Sequence, residues 1–258
     1  GNIDTLPHLA NGIESLPHGI LFWRSFLQWI GGMGIVVFYI AILPLLGVGG
    51  VQLFKAEVPG PVADKIKPRV RDTAKFLWII YVGFTLAEAL ALSLAGMSVF
   101  DSVCHAFTTM PTGGFSTKNA SIAHYESSAI HSIIIFFMFL AGINFSLHFR
   151  VLNGDIKAYL KDTEFLVYIL IITSITLIVF LTLSFEQEIA TFARFGESLF
   201  GVVAILTGTG YVLGDYEIWP VFLQMILLTL MFIGGMGGST TGGMKVIRVI
   251  LLAKYAAL

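Results

Sequence analysis

Long apolar runs separated by short polar segments dominate the pattern of this chain. A transmembrane helix needs roughly 20 mostly apolar residues. Stretches that meet this requirement lie at about 20–46, 74–96, 128–149, 164–184 and 217–236. The last stretch continues through a glycine-rich break into a further apolar segment, 246–258. The pattern therefore predicts an all-α membrane protein.

Two shorter apolar segments, about 99–110 and 195–206, lie between neighbouring predicted spans. Each is too short to cross a bilayer and too apolar for water, so we predict re-entrant half-helices. Asp101 and Glu197 are expected at the starts of these half-helices, where a carboxylate meets unpaired backbone amides. A capping role and a direct contact with a cation both fit these two acids.

Composition agrees with the membrane assignment and narrows the function. Apolar residues fill 56% of the 258 positions and charged residues only 12%, with a mean hydropathy of +0.86. The net charge of −1 gives no reason to expect a nucleic-acid partner. The single cysteine, Cys104, excludes an internal disulfide framework and a thiolate metal cluster.

The basic residues predict an orientation in the membrane. Lysines and arginines crowd the segment after the first span, the segment around Lys157 and the C-terminal end. Such an excess marks the cytoplasmic side. The opposite side is acidic, with Glu126 and Asp215 among its residues. Both half-helices should therefore enter the membrane from outside.

An internal repeat organises the second half of the chain. A shift of 96 residues places Asp101 on Glu197 and Gly114 on Gly210 (101 + 96 = 197; 114 + 96 = 210). Each copy has a span, an acidic residue, a short apolar helix, a loop rich in threonine and glycine, and a second span. Such repeats indicate duplicated structural units. We divide the chain into the end of one unit (1–48), a cytoplasmic linker (49–73) and two complete span–loop–span units (74–161 and 162–258).

The two repeated loops carry the functional prediction. Non-helical backbone at membrane depth is tolerated only when it is buried in protein or lines a wet cavity. A ring of backbone carbonyls replaces the hydration shell of an alkali cation in such a cavity. We predict a potassium-binding filter formed by Thr112, Gly113, Gly114, Phe115, Thr207, Gly208, Thr209, Gly210 and Tyr211. Phe115 and Tyr211 are expected to pack behind their strands. Ordinary glycine turns would explain one such loop, but two in register favour the filter.

Three segments resemble a known family: 22–34 (FWRSFLQWIGGMG), 105–116 and 237–248 (GGSTTGGMKVIR). They are similar to the Trk/Ktr/HKT superfamily of potassium transporters, and most closely to TrkH-type bacterial potassium uptake subunits. The resemblance implies a pseudo-fourfold, potassium-channel-like pore built from four repeats, with K+ as the permeant ion and no covalent cofactor. It places 1–48 at the end of the second repeat. The first repeat and the second filter strand are then expected outside this chain.

The resemblance also implies partners and a gate. It suggests a homodimer in the bacterial inner membrane with a cytoplasmic nucleotide-binding regulatory subunit of the TrkA type. A mobile intramembrane loop matches 141–146, and a basic residue facing the inner pore matches Arg248. The implied gating residues are Gly142, Asn144, Ser146, Lys245 and Arg248. There are alternatives to these gating roles. Gly142 would allow close helix packing, and Lys245 and Arg248 would extend their charges to the inner interface.

Two other functions are alternatives to the pore. A secondary transporter with a midplane site in glycine-broken helices fits the interrupted spans, but leaves the paired loops unexplained. An intramembrane enzyme finds no support, because Gly-x-Ser-x-Gly, His-Glu-x-x-His and Gly-x-Gly-Asp motifs do not occur. We therefore expect a transporter and not an enzyme. The sequence does not decide whether the ion is potassium or sodium, or whether the protein is a channel or an ion symporter.

Overall fold

The computed structural model describes residues 12–34, 70–186 and 192–256, and there its regular structure is helical apart from one isolated β-bridge. The α-helices in these ranges are α1 (His18–Trp29), α2 (Val70–Leu94), α3 (Val99–Thr109), α4 (Ser128–Ala141), α5 (Phe145–Leu152), α6 (Ala158–Lys161), α7 (Thr163–Glu186), α8 (Phe192–Leu206), α9 (Val221–Phe232) and α10 (Val246–Ala256). The all-α prediction is confirmed.

Two long apolar helices match predicted spans, and two other predicted spans have a different structure. Within the described ranges, Lys75–Leu94 and Thr163–Phe185 are long and apolar enough to cross a membrane. The predicted span 128–149 is instead the pair α4 and α5, bent by 101°. The predicted span 217–236 contains only the 12-residue helix α9, because Pro220 precedes it and a glycine-rich segment follows. For the predicted span 20–46, positions 35–46 lie outside the described residues, as does most of the linker.

Both predicted half-helices are present, and their starts differ. Ser98 caps α3: its Oγ accepts from the Asp101 N–H at 3.1 Å, and its hydroxyl donates to Asp101 Oδ2 at 2.8 Å. Asp101 thus lies in the first turn, as predicted. The expectation for Glu197 is wrong, because α8 begins at Phe192 and Glu197 falls in its second turn. Gly196 directly precedes Glu197, but α8 runs through this glycine back to Phe192.

Each half-helix packs in the same way within the bundle. Helix α3 contacts α2 and α4, the two spans of its own unit, and α1 from the preceding unit. Helix α8 contacts α7 and α9 of its own unit, and α4 from the preceding unit. The repeat in the sequence is therefore a repeat in the packing, and it brings the loops after α3 and α8 side by side.

Candidate ion-conducting site

The loops that follow α3 and α8 trace the same backbone path. Thr112 and Gly114 have positive φ angles of 56° and 69°, and Gly208 and Gly210 have 70° and 73°. These pairs are related by the same shift of 96 residues (112 + 96 = 208; 114 + 96 = 210). A left-handed angle is costly for a residue with a Cβ, so Thr112 marks a position held by its surroundings.

Matching hydrogen bonds hold the two loops. The Gly114 N–H donates to Thr108 O at 3.0 Å, and the Gly210 N–H donates to the equivalent Ala204 O at 3.0 Å. These bonds turn the loop amides toward the C-terminal ends of the half-helices, whose carbonyls lack intrahelical partners. Within the described ranges, no carbonyl oxygen of 207–211 accepts a protein hydrogen bond. We call 112–116 the third-repeat loop and 207–211 the fourth-repeat loop, from their places in the predicted four-repeat pore. The fourth-repeat loop therefore has carbonyls available for a cation.

The two loops touch directly at their central glycines. A Cβ built on Gly114 would overlap the carbonyl oxygen of Thr209, so only glycine fits this contact. The space around Gly210 is open by comparison, with nothing within 4 Å of a Cβ built there. Position 114 is thus restricted both by its φ angle and by the neighbouring strand, whereas position 210 is restricted by its φ angle alone.

Tyr211 joins the two repeats, and Phe115 does not play the same part. The Tyr211 side chain is 0% exposed, and its hydroxyl lies 2.7 Å from Thr108 Oγ1 and 3.2 Å from Thr109 Oγ1, both on α3. It therefore packs against α3, the half-helix of the other repeat. The expectation for Phe115 is wrong, since its ring is 44% exposed. That ring lies 4.8 Å beneath the guanidinium of Arg24.

Helix α1 supports the third-repeat loop through two side chains that sequence reasoning missed. Arg24 donates to Ser116 O, and Gln28 Nε2 donates to Gly113 O at 3.2 Å. Because the Gly113 carbonyl has a protein donor, the structure argues against it as a free cation ligand. The Phe115 carbonyl likewise lies 2.7 Å from the Thr108 hydroxyl. In the sequence, the only indication that these two residues act together is their spacing: Arg24 and Gln28 lie four residues apart, on one helix face.

The outer end of the third-repeat loop is tied back to the start of α3. His105 Nε2 lies 2.9 Å from Ser116 Oγ, and the Thr117 hydroxyl donates to Asp101 Oδ1 at 2.6 Å. Lys118 Nζ is 3.8 Å from Asp101 Oδ2. Burial acts to raise the pKa of the Asp101 carboxyl, but the bonds from Thr117 and Ser98 and the charge of Lys118 outweigh it, and the pKa is lowered. The acid therefore acts as an ionised structural anchor.

Of the predicted gating residues Gly142, Asn144 and Ser146, the first two lie in the break between α4 and α5, and Ser146 lies in the first turn of α5. Gly142 ends α4, and the Asn144 side chain caps α5 by accepting from the Ser146 N–H at 2.8 Å. A Cβ built on Gly142 would overlap the Tyr168 hydroxyl and lie 3.2 Å from Thr207 Cγ2. The break therefore lies against the base of the fourth-repeat loop.

Residues 233–245, the inner loop, fold back on themselves between α9 and α10. Ile233 and Met244 form the isolated bridge, with the Gly234 N–H donating to Met244 O at 2.9 Å. The Thr240 hydroxyl donates to Met110 O at 2.8 Å, and the Thr112 hydroxyl lies 3.2 Å from Thr240 O. The inner loop thus lies against the base of the third-repeat loop.

Lys245 and Arg248 occupy different environments. Lys245 is only 8% exposed, and its ammonium contacts the carbonyl and, at 3.0 Å, the hydroxyl of Thr241. Lys245 therefore does not extend to the inner membrane interface, because the folded inner loop keeps its side chain inside the protein. Arg248 is exposed on α10. The structure brings Lys245, Gly142 and Asn144 to the inner loop, and leaves Arg248 beyond it.

Comparison with known proteins identifies relatives of this chain. The family model described as "TrkH: Cation transport protein" matches residues 2–257. The Trk system potassium uptake protein TrkH of Escherichia coli K12 is 48% identical over 246 residues, which cover 94% of this chain and 51% of that protein. TrkG of the same strain is 36% identical over 250 residues, covering 96% of this chain and 52% of TrkG.

A solved structure shows the same architecture. The crystal structure of the potassium transporter TrkH from Vibrio parahaemolyticus matches with a TM-score of 0.80 and 43% identity, covering 95% of this chain and 50% of that one. The chain spans about half the length of the curated relatives it matches. The match of the family model over nearly every residue, together with these identities, shows that the chain belongs to the TrkH family of cation transport proteins.

Proposed function

We propose that this chain supplies part of a potassium uptake pathway, in which backbone carbonyls of the loops 112–116 and 207–211 coordinate the ion. The observation that carries the proposal is the repeated loop geometry: two contacting loops with the same pattern of positive φ angles and the same amide bonds to their half-helices. The free carbonyls of the fourth-repeat loop are the type of ligand that dehydrated K+ prefers.

The third-repeat loop contributes fewer ligands to this proposal than its sequence suggested. Thr112 and Gly114 keep carbonyls without a protein donor in the described part of the chain, whereas Gly113 and Phe115 have donors. We assign the ion contacts to Thr112 and Gly114 here, and to Thr207, Gly208, Thr209, Gly210 and Tyr211 in the fourth repeat. The inner loop and the α4–α5 break lie at the base of both loops, where a gate would act.

The test is uptake by the native polypeptide that contains this chain, in a host that lacks its own potassium uptake. We expect Gly114→Val and Gly210→Val to abolish growth at low potassium and radioactive rubidium uptake, because both positions need positive φ. Gly83→Val is the matched control, since Gly83 is exposed in α2 with nothing within 4 Å of an added Cβ. Normal uptake by both filter variants would contradict the proposal.

A second candidate is an ion-coupled secondary transporter with a midplane site. The breaks after α4 and α9 favour it, because such transporters bind substrate where helices are interrupted. The two functions differ in their substrates. Saturable uptake of an organic substrate that depends on an ion gradient would favour the transporter, and rubidium flux driven by its own gradient would favour the pore.

The family resemblance supports a further proposal about assembly. We propose a homodimer in the bacterial inner membrane, associated on its cytoplasmic side with a nucleotide-binding regulatory subunit of the TrkA type. The relatives are named as members of a Trk system for potassium uptake, which supports a multi-component transporter. Crosslinking in native membranes, followed by mass determination, tests the dimer and the subunit together.

A further inference from the structure

Glu164 makes two hydrogen bonds that connect distant parts of the fourth repeat. It lies in the first turn of α7, and its Oε1 accepts from the Gly237 N–H at 2.8 Å and from the Ile247 N–H at 2.9 Å. Gly237 belongs to the inner loop, and Ile247 to the first turn of α10. One half-buried carboxylate oxygen thus holds both ends of the segment 237–247.

The physical chemistry of these contacts makes them strong. The amides at the start of α10 lack intrahelical acceptors, and the positive end of the helix dipole favours a carboxylate there. Hydrogen bonds from neutral donors to an ionised acceptor are roughly twice as strong as bonds between neutral groups. Glu164 therefore joins the inner loop to α10 through two backbone hydrogen bonds on one oxygen.

The segment that Glu164 holds is the one that lies against the base of the third-repeat loop. Thr240, three residues from Gly237, contacts Met110 and Thr112. The Met236 N–H donates to Gly142 O at 2.9 Å at the break between α4 and α5. Glu164 therefore holds the inner loop at Gly237 and the start of α10 at Ile247. Thr240, between these two points, contacts the third-repeat loop, and Met236, just before Gly237, contacts the break.

We infer that Glu164 is a positioning residue for the inner loop: its carboxylate holds the loop across the inner end of the pathway, and its loss frees the loop. The inference rests on the proposed function, because that function defines the ion pathway. The position of the loop can nevertheless be measured without any ion flux. It assigns to the first turn of α7 a control over a segment more than 70 residues away in sequence.

The experiment measures access to the inner loop with a reporter cysteine. Ser239→Cys is placed in the native polypeptide, in a background without other accessible cysteines, and a charged thiol reagent is applied from the cytoplasmic side. Ser239 is half-buried and bonded inside the loop, to Met236 O at 2.6 Å. We expect Glu164→Ala to speed modification about tenfold or more, because loss of a charge-assisted hydrogen bond increases the fraction of time that the loop is open by about this factor.

Matched variants separate this effect from general damage. Asp162→Asn removes a charge at the same end of α7, where the Asp162 side chain accepts only from the Phe165 N–H within the described contacts, and should leave the rate unchanged. Glu164→Gln keeps an acceptor and should fall between wild type and Glu164→Ala. Glu164→Asp keeps the charge with a shorter reach, and it replaces the alanine variant if that variant does not fold.

The outcomes are distinguishable from those of the proposed function. Faster modification in Glu164→Ala with unchanged Asp162→Asn supports the inference, even if no rubidium flux is found. Equal rates in wild type and in every Glu164 variant overturn it, even if rubidium flux is normal. In a conducting protein we also expect Glu164→Ala to raise rubidium flux above that of wild type, and a lower flux with normal folding would contradict the inference.

Discussion

At the scale of single residues, equivalent positions in the two loops are constrained by different neighbours. Gly114 meets the Thr209 carbonyl, whereas Gly210 has open space. Tyr211 is buried against α3, whereas Phe115 is half exposed under Arg24. The repeat predicted the shared backbone, because φ requirements follow from local sequence. It did not predict these differences, because they depend on side chains from other units.

The Tyr211 hydroxyl leads to a prediction about stability. Tyr211→Phe should lower the free energy of unfolding by about 1 kcal/mol or somewhat more, because it removes the buried bonding partner of Thr108 and Thr109. The measurement is the midpoint of thermal unfolding of the detergent-purified protein. Tyr255→Phe is the control. Because Tyr255 is 75% exposed, this variant should unfold at the wild-type temperature. Equal midpoints for the two variants would show that the Tyr211 bonds add nothing to stability.

At the scale of helices, the sequence predicted where segments lie better than where they end. The pattern of apolar residues identified α2, α7 and both half-helices, since burial in lipid requires a minimum length of apolar chain. The acidic residue at position 197 gave a wrong start for α8, because an acid in a helix interior looks the same in sequence as a capping acid. The fold-back of the inner loop was not predictable, because the contact between Ile233 and Met244 depends on the backbone conformation of every residue between them.

The break between α4 and α5 gives a prediction that a double variant can test. Gly142→Ala places a methyl group on the Tyr168 hydroxyl, and overpacking of this kind costs about 1–3 kcal/mol. We expect a lower unfolding midpoint and reduced rubidium uptake. Adding Tyr168→Phe removes the obstructing oxygen and should restore part of both losses.

Tyr168→Phe alone serves as the control for that pair. The Tyr168 hydroxyl donates only a long bond of 3.5 Å to Phe139 O, so its removal should change the midpoint little. If the double variant is no better than Gly142→Ala, contact with the Tyr168 oxygen is not the cause of the defect, and the ring carbon Cζ, 2.9 Å from the added Cβ, is the remaining obstruction.

At the scale of the whole molecule, the distribution of charge predicts how the bundle sits in the membrane. Cysteine at position 126, in Glu126→Cys, should react with a membrane-impermeant thiol reagent from outside, because the lysines and arginines that mark the cytoplasmic side crowd the segments at the opposite end of the bundle. Cysteine at position 157, in Lys157→Cys, should react only from the cytoplasmic side. Both side chains are exposed, so accessibility does not differ between them. Labelling in intact cells and in inverted vesicles makes the measurement, and the reverse pattern would invert the proposed orientation.

The packing of each half-helix on a span of the preceding unit means that no unit is self-sufficient. The third-repeat loop takes two of its side-chain supports, Arg24 and Gln28, from α1, and α8 rests on α4. An exchange of one unit between related proteins would therefore separate a loop or its half-helix from contacts supplied by the preceding unit. A chimaera designed for this fold has to join its parents inside a unit, between the half-helix and the span that follows, so that each loop is inherited together with its predecessor's last helix.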